Sequence, residues 1–347
     1  MQLIKTAVLS YGMSGRLFHA PFLHTVRGFQ FYAVWERTKN AAQEKYPDVK
    51  TYRTLAELLS DGDVELVIVN TPNYTHYEYT KKALEAGKHV VVEKPFVVSV
   101  VEGEELIALA KSQNKVLSVY QNRRYDSDYR TLKKIMAEGS LGDIVEAEFH
   151  FDRYNPQLSP KVHKETAGPG TGALYDLGSH IIDQALQLFG IPQAVFADIR
   201  TVRPVSQVDD YFEVLLYYPT LRVRLHSSYL VREALPGYSL HGTKGSFIKS
   251  KTNVQEEALN EGRLPVGEDW GVEPEVERGL LHTEKNGQGI RVYITSEKGA
   301  YADYFTALYA AVKDGGSAPV SAEDGLAVIR IIEAAFESNR QQRVIHL

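Results

Sequence analysis

The segment His89-Val90-Val91-Val92-Glu93-Lys94-Pro95-Phe96 combines a short apolar run with a charged turn. Its three consecutive valines predict a strand that is buried on both faces of a parallel sheet. Pro95 cannot donate to a strand ladder, so strand pairing is expected to stop there. Glu93 and Lys94 would then lie at the carboxyl end of a strand, where open α/β sheets bind their ligands. The alternative is a surface Glu-Lys pair that follows an ordinary strand.

The length and composition of the chain limit the classes of protein to which it can belong. A chain of 347 residues is too long for a single hydrophobic core, so its length predicts two domains. The formal net charge of −5 gives no electrostatic reason to expect nucleic acid or an anionic membrane as a partner. The chain has no cysteine, which excludes disulfides and thiolate metal sites. With no targeting segment and no apolar run near the roughly 18 residues of a membrane span, we expect a cytoplasmic protein.

A glycine-containing turn, Ser10-Tyr11-Gly12-Met13-Ser14-Gly15, follows a predicted strand at Ile4–Leu9 and precedes a predicted helix that continues to about Val26. The dinucleotide fingerprint G-x-G-x-x-G stands in this position, and here Ser10 replaces its first glycine. The second glycine lets the backbone approach a pyrophosphate, and the third lets the helix pack close to the strand. The residues expected to hold the phosphates are Gly12, Met13, Ser14 and Gly15.

An acidic residue, Glu36, ends the second predicted strand, Phe29–Trp35, and lies 21 residues after Gly15. An acid at about this distance binds the adenosine ribose hydroxyls in dinucleotide-binding domains. Arg37 and Lys39 follow it, and such cations can instead hold a 2′-phosphate. A solvated charge cluster at the strand end is the third interpretation. Because a carboxylate repels a 2′-phosphate, we expect NAD as the cofactor, with NADP as the alternative.

The remaining pattern divides the chain into two regions. Strands alternate with helices over residues 2–122, which predicts a doubly wound parallel sheet. Residues 123–347 show a helix, then strands with alternating apolar residues, which predict an α+β domain with an open, largely antiparallel sheet. We expect residues 250–290 to form a long loop. Two predicted helices close the chain and could pack back on the first domain; they lie near Ala302–Lys313 and Ala322–Ser338.

The second region contains a candidate acid–base pair. The loop Gly168–Gly172 leads into a predicted helix that continues to about Phe189. Asp176 and His180 are four residues apart and therefore share one face of that helix. An acid beside a histidine can move a proton to or from a hydroxyl group. The alternative is an ordinary surface pair, and no metal site is predicted, because a third clustered ligand is not evident.

The nucleotide-binding pattern and the motifs Glu93-Lys94-Pro95 and Asp176-x-x-x-His180 together carry a family resemblance. Over nearly its whole length, the chain resembles the Gfo/Idh/MocA oxidoreductase family. Several other segments resemble the branch of that family that contains scyllo-inositol dehydrogenases. They are Tyr11–Gly15, Phe18–Pro21, Asn122–Arg124, Asp152–Tyr154 and Gly245–His282. The chain departs from the branch at Glu36-Arg37, where Ser-Arg suited to NADP is frequent.

The resemblance implies an N-terminal Rossmann domain and a C-terminal domain whose open sheet makes oligomer contacts, as a homodimer or homotetramer. It implies that Lys94, before a cis peptide bond to Pro95, contacts the substrate and the nicotinamide ribose. Asp176 would orient the substrate, and His180 would transfer the hydroxyl proton. The further residues implied on the cofactor side are Asn70, Thr71, Pro72, Asn73, His76, Glu93 and Asn122. Those implied on the substrate side, with hydrogen bonding at the domain junction as the alternative, are Arg123, Arg153 and Tyr154.

The function expected from these residues is an NAD(P)-dependent dehydrogenase or reductase that acts on a sugar, polyol or inositol-like alcohol. One alternative is a glycosidase that keeps its NAD bound and cleaves by transient oxidation and elimination. A regulator that senses the cofactor without catalysis is the other. Intact Lys94, Asp176 and His180 weigh against the regulator, because a sensor has no need of a proton-transfer set.

Overall fold

The computed structural model describes residues 2–347, which form two units. Unit 1 comprises the chain up to Asn122 together with Gln255–Trp270 and Ala300–Leu326. Unit 2 comprises Arg123–Val254, Gly271–Gly299 and Ala327–Leu347. Unit 1 is therefore assembled from three separate segments of the chain.

A six-stranded sheet forms the centre of unit 1, and all of its strand pairs are parallel. Its strands are β1 (Ile4–Val8), β2 (Phe29–Trp35), β3 (Lys50–Tyr52), β4 (Leu66–Val69), β5 (His89–Glu93) and β6 (Leu117–Tyr120). They follow the order β3-β2-β1-β4-β5-β6. Val90, Val91 and Val92 of β5 are fully buried, as expected for a strand covered on both faces. The predicted doubly wound parallel sheet is confirmed.

The helices of unit 1 follow the predicted alternation. After a π-helical turn at Gly15–His19 they are α1 (Ala20–Thr25), α2 (Ala41–Lys45), α3 (Leu55–Ser60), α4 (His76–Glu85) and α5 (Val100–Ser112). The π-helical turn replaces the first part of the single helix predicted after Gly15. Helix α3 starts with a capping box in which Thr54 and Glu57 exchange hydrogen bonds, a sequence pattern that fixes a helix start.

A nine-stranded sheet forms the centre of unit 2. Its strands are β7 (Ile144–His150), β8 (Ala194–Arg200), β9 (Tyr211–Tyr217), β10 (Arg222–Ser228), β11 (Tyr238–Gly242), β12 (Gly245–Lys249), β13 (Gly279–Lys285), β14 (Gln288–Ile294) and β15 (Ile345–His346). They follow the order β14-β13-β12-β11-β7-β10-β9-β8-β15. The pair β7–β10 is parallel and the other pairs are antiparallel, which confirms the predicted largely antiparallel sheet.

The remaining helices are assigned to both units. In unit 2 they are α6 (Ser127–Ala137), α7 (Val162–Glu165), a π-helical turn (Leu174–Gly178) and α8 (Ser179–Phe189). Unit 1 contains α10 (Tyr301–Lys313) and, apart from its first residue, α9 (Val254–Asn260). The last helix, α11 (Ala322–Gln341), has its first residues in unit 1 and the rest in unit 2. Within residues 2–347 no helix has the length and apolarity needed to cross a bilayer.

The prediction of a long loop at residues 250–290 is wrong. This part of the chain contains α9 and β13, and β14 begins within it. In β14 no residue is buried, and in β13 only Gly279 and Leu281 are, so these strands lack the strict apolar alternation of a half-buried strand. A local signal was present in Asn286-Gly287, where φ is 53° and 75°. Asn-Gly is the preferred pair for a two-residue hairpin turn, because both positions require positive φ.

Candidate cofactor and substrate sites

The glycine-containing turn of unit 1 leaves no room for a side chain at Gly15. A Cβ atom there would lie 2.0 Å from the carbonyl oxygen of Ser10 and 2.9 Å from Nδ2 of Asn70. The Asn70 Nδ2 group donates to that same carbonyl at 2.7 Å. Ser10, which replaces the first glycine of the fingerprint, accepts the N–H of Gly12 on its hydroxyl at 3.2 Å. The serine hydroxyl therefore holds the first part of the turn.

These residues fit a bound dinucleotide. The turn supplies a cradle at the start of a helix, where unpaired N–H groups and the helix dipole favour phosphate. The Oδ1 atom of Asn70 is buried and has no hydrogen-bond partner among residues 2–347. A buried acceptor of this kind costs free energy until a donor reaches it, and a ligand hydroxyl can be that donor. Asn70 lies directly after β4, as the sequence predicted for a cofactor residue.

Glu36 has a contact that the sequence did not predict. Its carboxylate accepts the N–H groups of Ala41 at 3.2 Å and Ala42 at 3.1 Å, the first two residues of α2. The residue is 8% exposed, whereas Arg37 and Lys39 are exposed. Glu36 therefore stabilises the start of α2, and the cations beside it face solvent.

The turn after β5 is fixed by a buried histidine. The Lys94-Pro95 peptide bond is cis, which confirms the expectation from the family resemblance. The His76 side chain is fully buried, with Nδ1 at 2.8 Å from the Pro95 carbonyl oxygen and Nε2 at 2.9 Å from that of Thr71. Burial lowers the pKa of His76 despite these two acceptors. His76 was expected to contact the cofactor, and in the structure its ring nitrogens face backbone carbonyls.

Glu93 also has partners inside the protein. It accepts a hydrogen bond from the Ser14 hydroxyl, and its Oε1 lies 2.8 Å from Nε2 of the fully buried His19. Burial raises the pKa of Glu93, but the contacts with His19 and Ser14 outweigh it and leave the pKa lowered. His19 was not among the predicted site residues, although it belongs to the segment Phe18–Pro21 on which the family resemblance rested. Glu93, which directly precedes Lys94, thus connects the glycine-containing turn to the end of β5.

In unit 2, Asp176 and His180 lie on one continuous helical segment, as predicted. Asp176 is in the π-helical turn and pairs with Lys164, whose Nζ is 2.8 Å from its Oδ2. His180 follows in α8 and is 6% exposed. Burial raises the pKa of Tyr229, and the negative charge of Asp176 raises it further.

Several predicted substrate residues of unit 2 meet at one aromatic ring, that of Phe151. The guanidinium groups of Arg123 and Arg153 each lie 5.4 Å from its centroid, and the His180 ring lies 6.1 Å from it. Lys251 approaches the same ring at 4.7 Å. Phe151 and Lys251 were not predicted, since an aromatic residue at the end of a strand and a loop lysine carry no local signal of a site.

Tyr154, the third predicted substrate residue, is exposed, and its hydroxyl accepts a hydrogen bond from Arg232. The guanidinium of Arg232 also lies 4.2 Å from the Tyr154 ring centroid. Tyr154 lies two residues beyond Asp152 on the segment that follows β7, and Arg232 lies on the segment that follows β10.

One cluster of possible metal ligands, formed by histidine and aspartate side chains, was not predicted from the sequence. His150, Asp152 and His226 place potential donor atoms within 4.8 Å of one another, in the part of the chain that the structure describes. The two oxygens of Asp152 lie 3.1 Å from Nδ1 of His150 and 3.0 Å from Nδ1 of His226. Burial raises the pKa of Asp152, but these hydrogen bonds lower it to about 2. His150 ends β7 and Asp152 follows that strand, whereas His226 lies on β10, 74 residues after Asp152, so spacing in sequence could not reveal the cluster.

The sequence matches two domain descriptions of one family. Residues 4–121 match the NAD-binding Rossmann fold of the oxidoreductase family, and residues 133–347 match its C-terminal alpha/beta domain. The chain belongs to the Gfo/Idh/MocA oxidoreductase family. It is accordingly an oxidoreductase that binds NAD(P).

Relatives in this family are similar to the chain over its full length. It is 40% identical to scyllo-inositol 2-dehydrogenase (NADP(+)) IolW of Bacillus subtilis, covering 99% of this chain and 96% of IolW. It is 37% identical to the uncharacterized oxidoreductase YdgJ of Escherichia coli, covering 99% of each chain. Among solved structures, the oxidoreductase YvaA of B. subtilis superposes with a TM-score of 0.96 at 40% identity, covering 100% of this chain and 99% of YvaA. An oxidoreductase of Bacteroides fragilis superposes with a TM-score of 0.92 at 45% identity, covering 100% of each chain.

For a member of the Gfo/Idh/MocA family, the two units contribute different parts of the expected chemistry. Unit 1 carries the glycine-containing turn, Asn70 and the Glu93-Lys94-Pro95 turn. Unit 2 carries Asp176 and His180, with the cations around Phe151.

Proposed function

We propose that the protein is an NAD(P)-dependent dehydrogenase or reductase that acts on a secondary hydroxyl or ketone of an inositol-like, polyol or sugar substrate. The observation that carries this proposal is the set of side chains around Phe151, where Arg123, Arg153 and His180 surround an aromatic ring. Guanidinium and imidazole groups provide donors for hydroxyl and carbonyl oxygens, while the ring offers an apolar face. The similarity to IolW, whose name specifies scyllo-inositol, supports the same class of substrate.

Three residues would carry the chemistry. His180 accepts the hydroxyl proton during oxidation and returns it during reduction, as imidazoles do near neutral pH. Asp176, held by Lys164, orients the substrate through its second oxygen. Lys94 donates a hydrogen bond to the reacting oxygen and opposes the negative charge that develops there. The bound nicotinamide dinucleotide supplies or accepts the hydride.

The cofactor proposed on structural grounds is NADP. The sequence favoured NAD because the Glu36 carboxylate would repel a 2′-phosphate. In the structure both oxygens of that carboxylate accept N–H groups of α2, and Arg37 beside it is exposed. An exposed guanidinium at this strand end suits a 2′-phosphate, since it can form two parallel hydrogen bonds. IolW, which is named for NADP(+), supports this choice.

A substrate screen tests the proposal. The purified protein is incubated with NAD or NADP and a panel of inositols, polyols and sugars, and reduced nicotinamide is followed by its absorbance. We expect turnover with at least one inositol-like alcohol, and faster turnover with NADP. Glycoside cleavage without net cofactor reduction would favour the oxidation–elimination glycosidase. Cofactor binding without turnover of any panel member would favour the regulator. The cytoplasmic location and the homodimer or homotetramer stay predictions from the sequence.

A further inference from the structure

Two fully buried histidines of unit 1 contact the residues on either side of Lys94. His19 contacts the side chain of Glu93, the residue before the lysine, and His76 contacts the carbonyl of Pro95, the residue after it. Both imidazoles have 0% exposure. Burying a polar ring costs free energy unless its nitrogens make hydrogen bonds. Without such bonds, an apolar side chain would fill the same space more favourably. The contacts of these rings therefore show what each histidine contributes.

The contact of His19 has a defined direction. Because the pKa of Glu93 is lowered, its side chain is an ionised carboxylate that accepts hydrogen bonds and cannot donate them. The proton of the 2.8 Å contact therefore lies on Nε2 of His19. The His19 ring lies 4.5 Å from that of Tyr120, which pairs in register with Glu93 across β5 and β6. The Tyr120 hydroxyl donates to the Phe18 carbonyl at 3.0 Å. The imidazole is thus held between two neighbouring strand ends.

His76 links two strand ends of the same sheet. Its two nitrogens face the carbonyl oxygens of Thr71, after β4, and Pro95, after β5. Carbonyl oxygens only accept, so at least one ring N–H donates to them, and a protonated ring donates to both. A phenylalanine would fill a similar volume and donate to neither.

We propose that His19 and His76 are positioning residues that fix the turn carrying Lys94 for catalysis. They act through Glu93 and Pro95 and do not touch the substrate. The proposal rests on the proposed role of Lys94 in the reaction. A misplacement of about 1 Å at a catalytic group can lower a rate about 100-fold, so such supports matter even though they are remote from the reacting atoms.

Paired variants test this role. His19→Leu and His76→Phe remove the donors, whereas His19→Gln keeps an amide N–H for Glu93 and His76→Gln keeps one for a carbonyl. The matched control is His89→Gln at the opposite end of β5, where Nδ1 of His89 accepts the Val116 N–H at 3.0 Å. Each variant is assayed for kcat, for KM of the alcohol, for cofactor Kd and for thermal midpoint.

We expect His19→Leu and His76→Phe to lower kcat about 10- to 100-fold with cofactor Kd changed by less than about threefold. The glutamine variants should recover part of kcat, and the His89→Gln control should keep it. Normal kcat in both donor-deleting variants, or equal losses in the glutamine variants and the control, would overturn the proposal. If His76→Phe does not fold, the His19 pair and His76→Gln decide the question.

Hydrogen exchange separates this inference from the proposed function. The backbone N–H groups of residues 92–98, apart from Pro95, should exchange faster in His19→Leu and His76→Phe than in wild type, and the control should leave this segment unchanged. This measurement needs no substrate. Faster exchange together with an inactive wild-type protein would leave the positioning of the turn supported and the proposed reaction wrong. Unchanged exchange in both variants would refute the positioning role whatever the substrate.

Discussion

Asp209 accepts a hydrogen bond from the backbone N–H of Leu174 at 2.8 Å, at the first residue of the π-helical turn that carries Asp176. A Cβ atom on the neighbouring Gly172 would lie 1.8 Å from Oδ1 of Asp209, and the φ of Gly172 is +96°. The carboxyl group is therefore packed against a position that only glycine fits. Burial raises the pKa of Asp209 to about 6, although the Leu174 N–H opposes this shift.

This pKa predicts a stability change between pH 4 and 6. Because the folded-state pKa lies above the ordinary value of 3.8, the folded protein binds this proton more tightly than the unfolded chain does. The stabilisation is fully present below about pH 4 and is lost as pH rises through about 6, by about 3 kcal/mol. Asp209→Asn should lack this loss and unfold at higher urea concentration at pH 7. Identical pH slopes for the variant and wild type would contradict the prediction.

The shift at Asp152 has the opposite sign. Its folded-state pKa of about 2 lies below 3.8, so its contribution is present at neutral pH and is lost as pH falls through about 2. Asp152→Asn should lower the free energy of unfolding by about 2 kcal/mol at pH 7, and the difference should shrink toward pH 3. Asp143→Asn, which changes an exposed aspartate just before β7, is the control. A constant difference across this pH range would count against the two-histidine contact as the cause.

Asp176 and His180 give a kinetic prediction. His180→Ala should lower kcat roughly 10²- to 10⁴-fold with cofactor affinity unchanged, since a general base contributes about this much. Asp176→Asn should also lower kcat. In the proposed mechanism the two residues act as one unit, so the double variant should be far less impaired than the product of the single losses. His241→Ala on β11 is the control, and single losses that simply multiply would show that the two residues act independently.

Under the proposed cofactor assignment, Arg37 should determine a preference for NADP. Arg37→Ala should lower kcat/KM for NADP by about tenfold or more and change that for NAD by less than about twofold, because only NADP has the 2′-phosphate. Arg27→Ala, an exposed arginine before β2, is the control. Glu36→Gln should lower stability by about 1 kcal/mol as a weakened helix cap and leave the cofactor preference nearly unchanged. A large shift of preference in Glu36→Gln would instead show that this carboxylate acts on the cofactor.

Gly15 should tolerate no side chain. Gly15→Ala places a methyl group 2.0 Å from a backbone oxygen, which cannot move without opening the turn. We expect cofactor affinity to fall at least about 100-fold, measured by fluorescence of the reduced nicotinamide. The matched control is Gly62→Ala, since nothing lies within 4 Å of the added methyl group there. Near-normal affinity in Gly15→Ala would mean that this turn does not hold the cofactor.

The sequence predicted those features that depend on local pattern. The Val90–Val92 run, the spacing of Asp176 and His180 and the proline after Lys94 each carry their signal within a few residues. The contact of Glu36 with α2 could not be predicted, because it depends on where that helix starts. The meeting of Arg123, Arg153 and Lys251 at Phe151 requires the register of a sheet whose strands are distant in sequence. The β13–β14 hairpin was missed because its strands lack strict apolar alternation, although Asn286-Gly287 marked its turn.

Unit 1 cannot complete its fold while the ribosome has synthesised only the first of its three segments, the chain up to Asn122. The Ser118 hydroxyl on β6 lies 2.8 Å from that of Tyr304 and donates to the carbonyl of Val320, residues 186 and 202 positions later in the chain. Phe305 stacks on Phe22 at 5.1 Å between ring centroids. The nascent nucleotide-binding sheet therefore keeps an unfilled edge and an uncovered aromatic side chain until about residue 320 emerges. During synthesis, unit 2 has almost all of its strands available before unit 1 can close its own core.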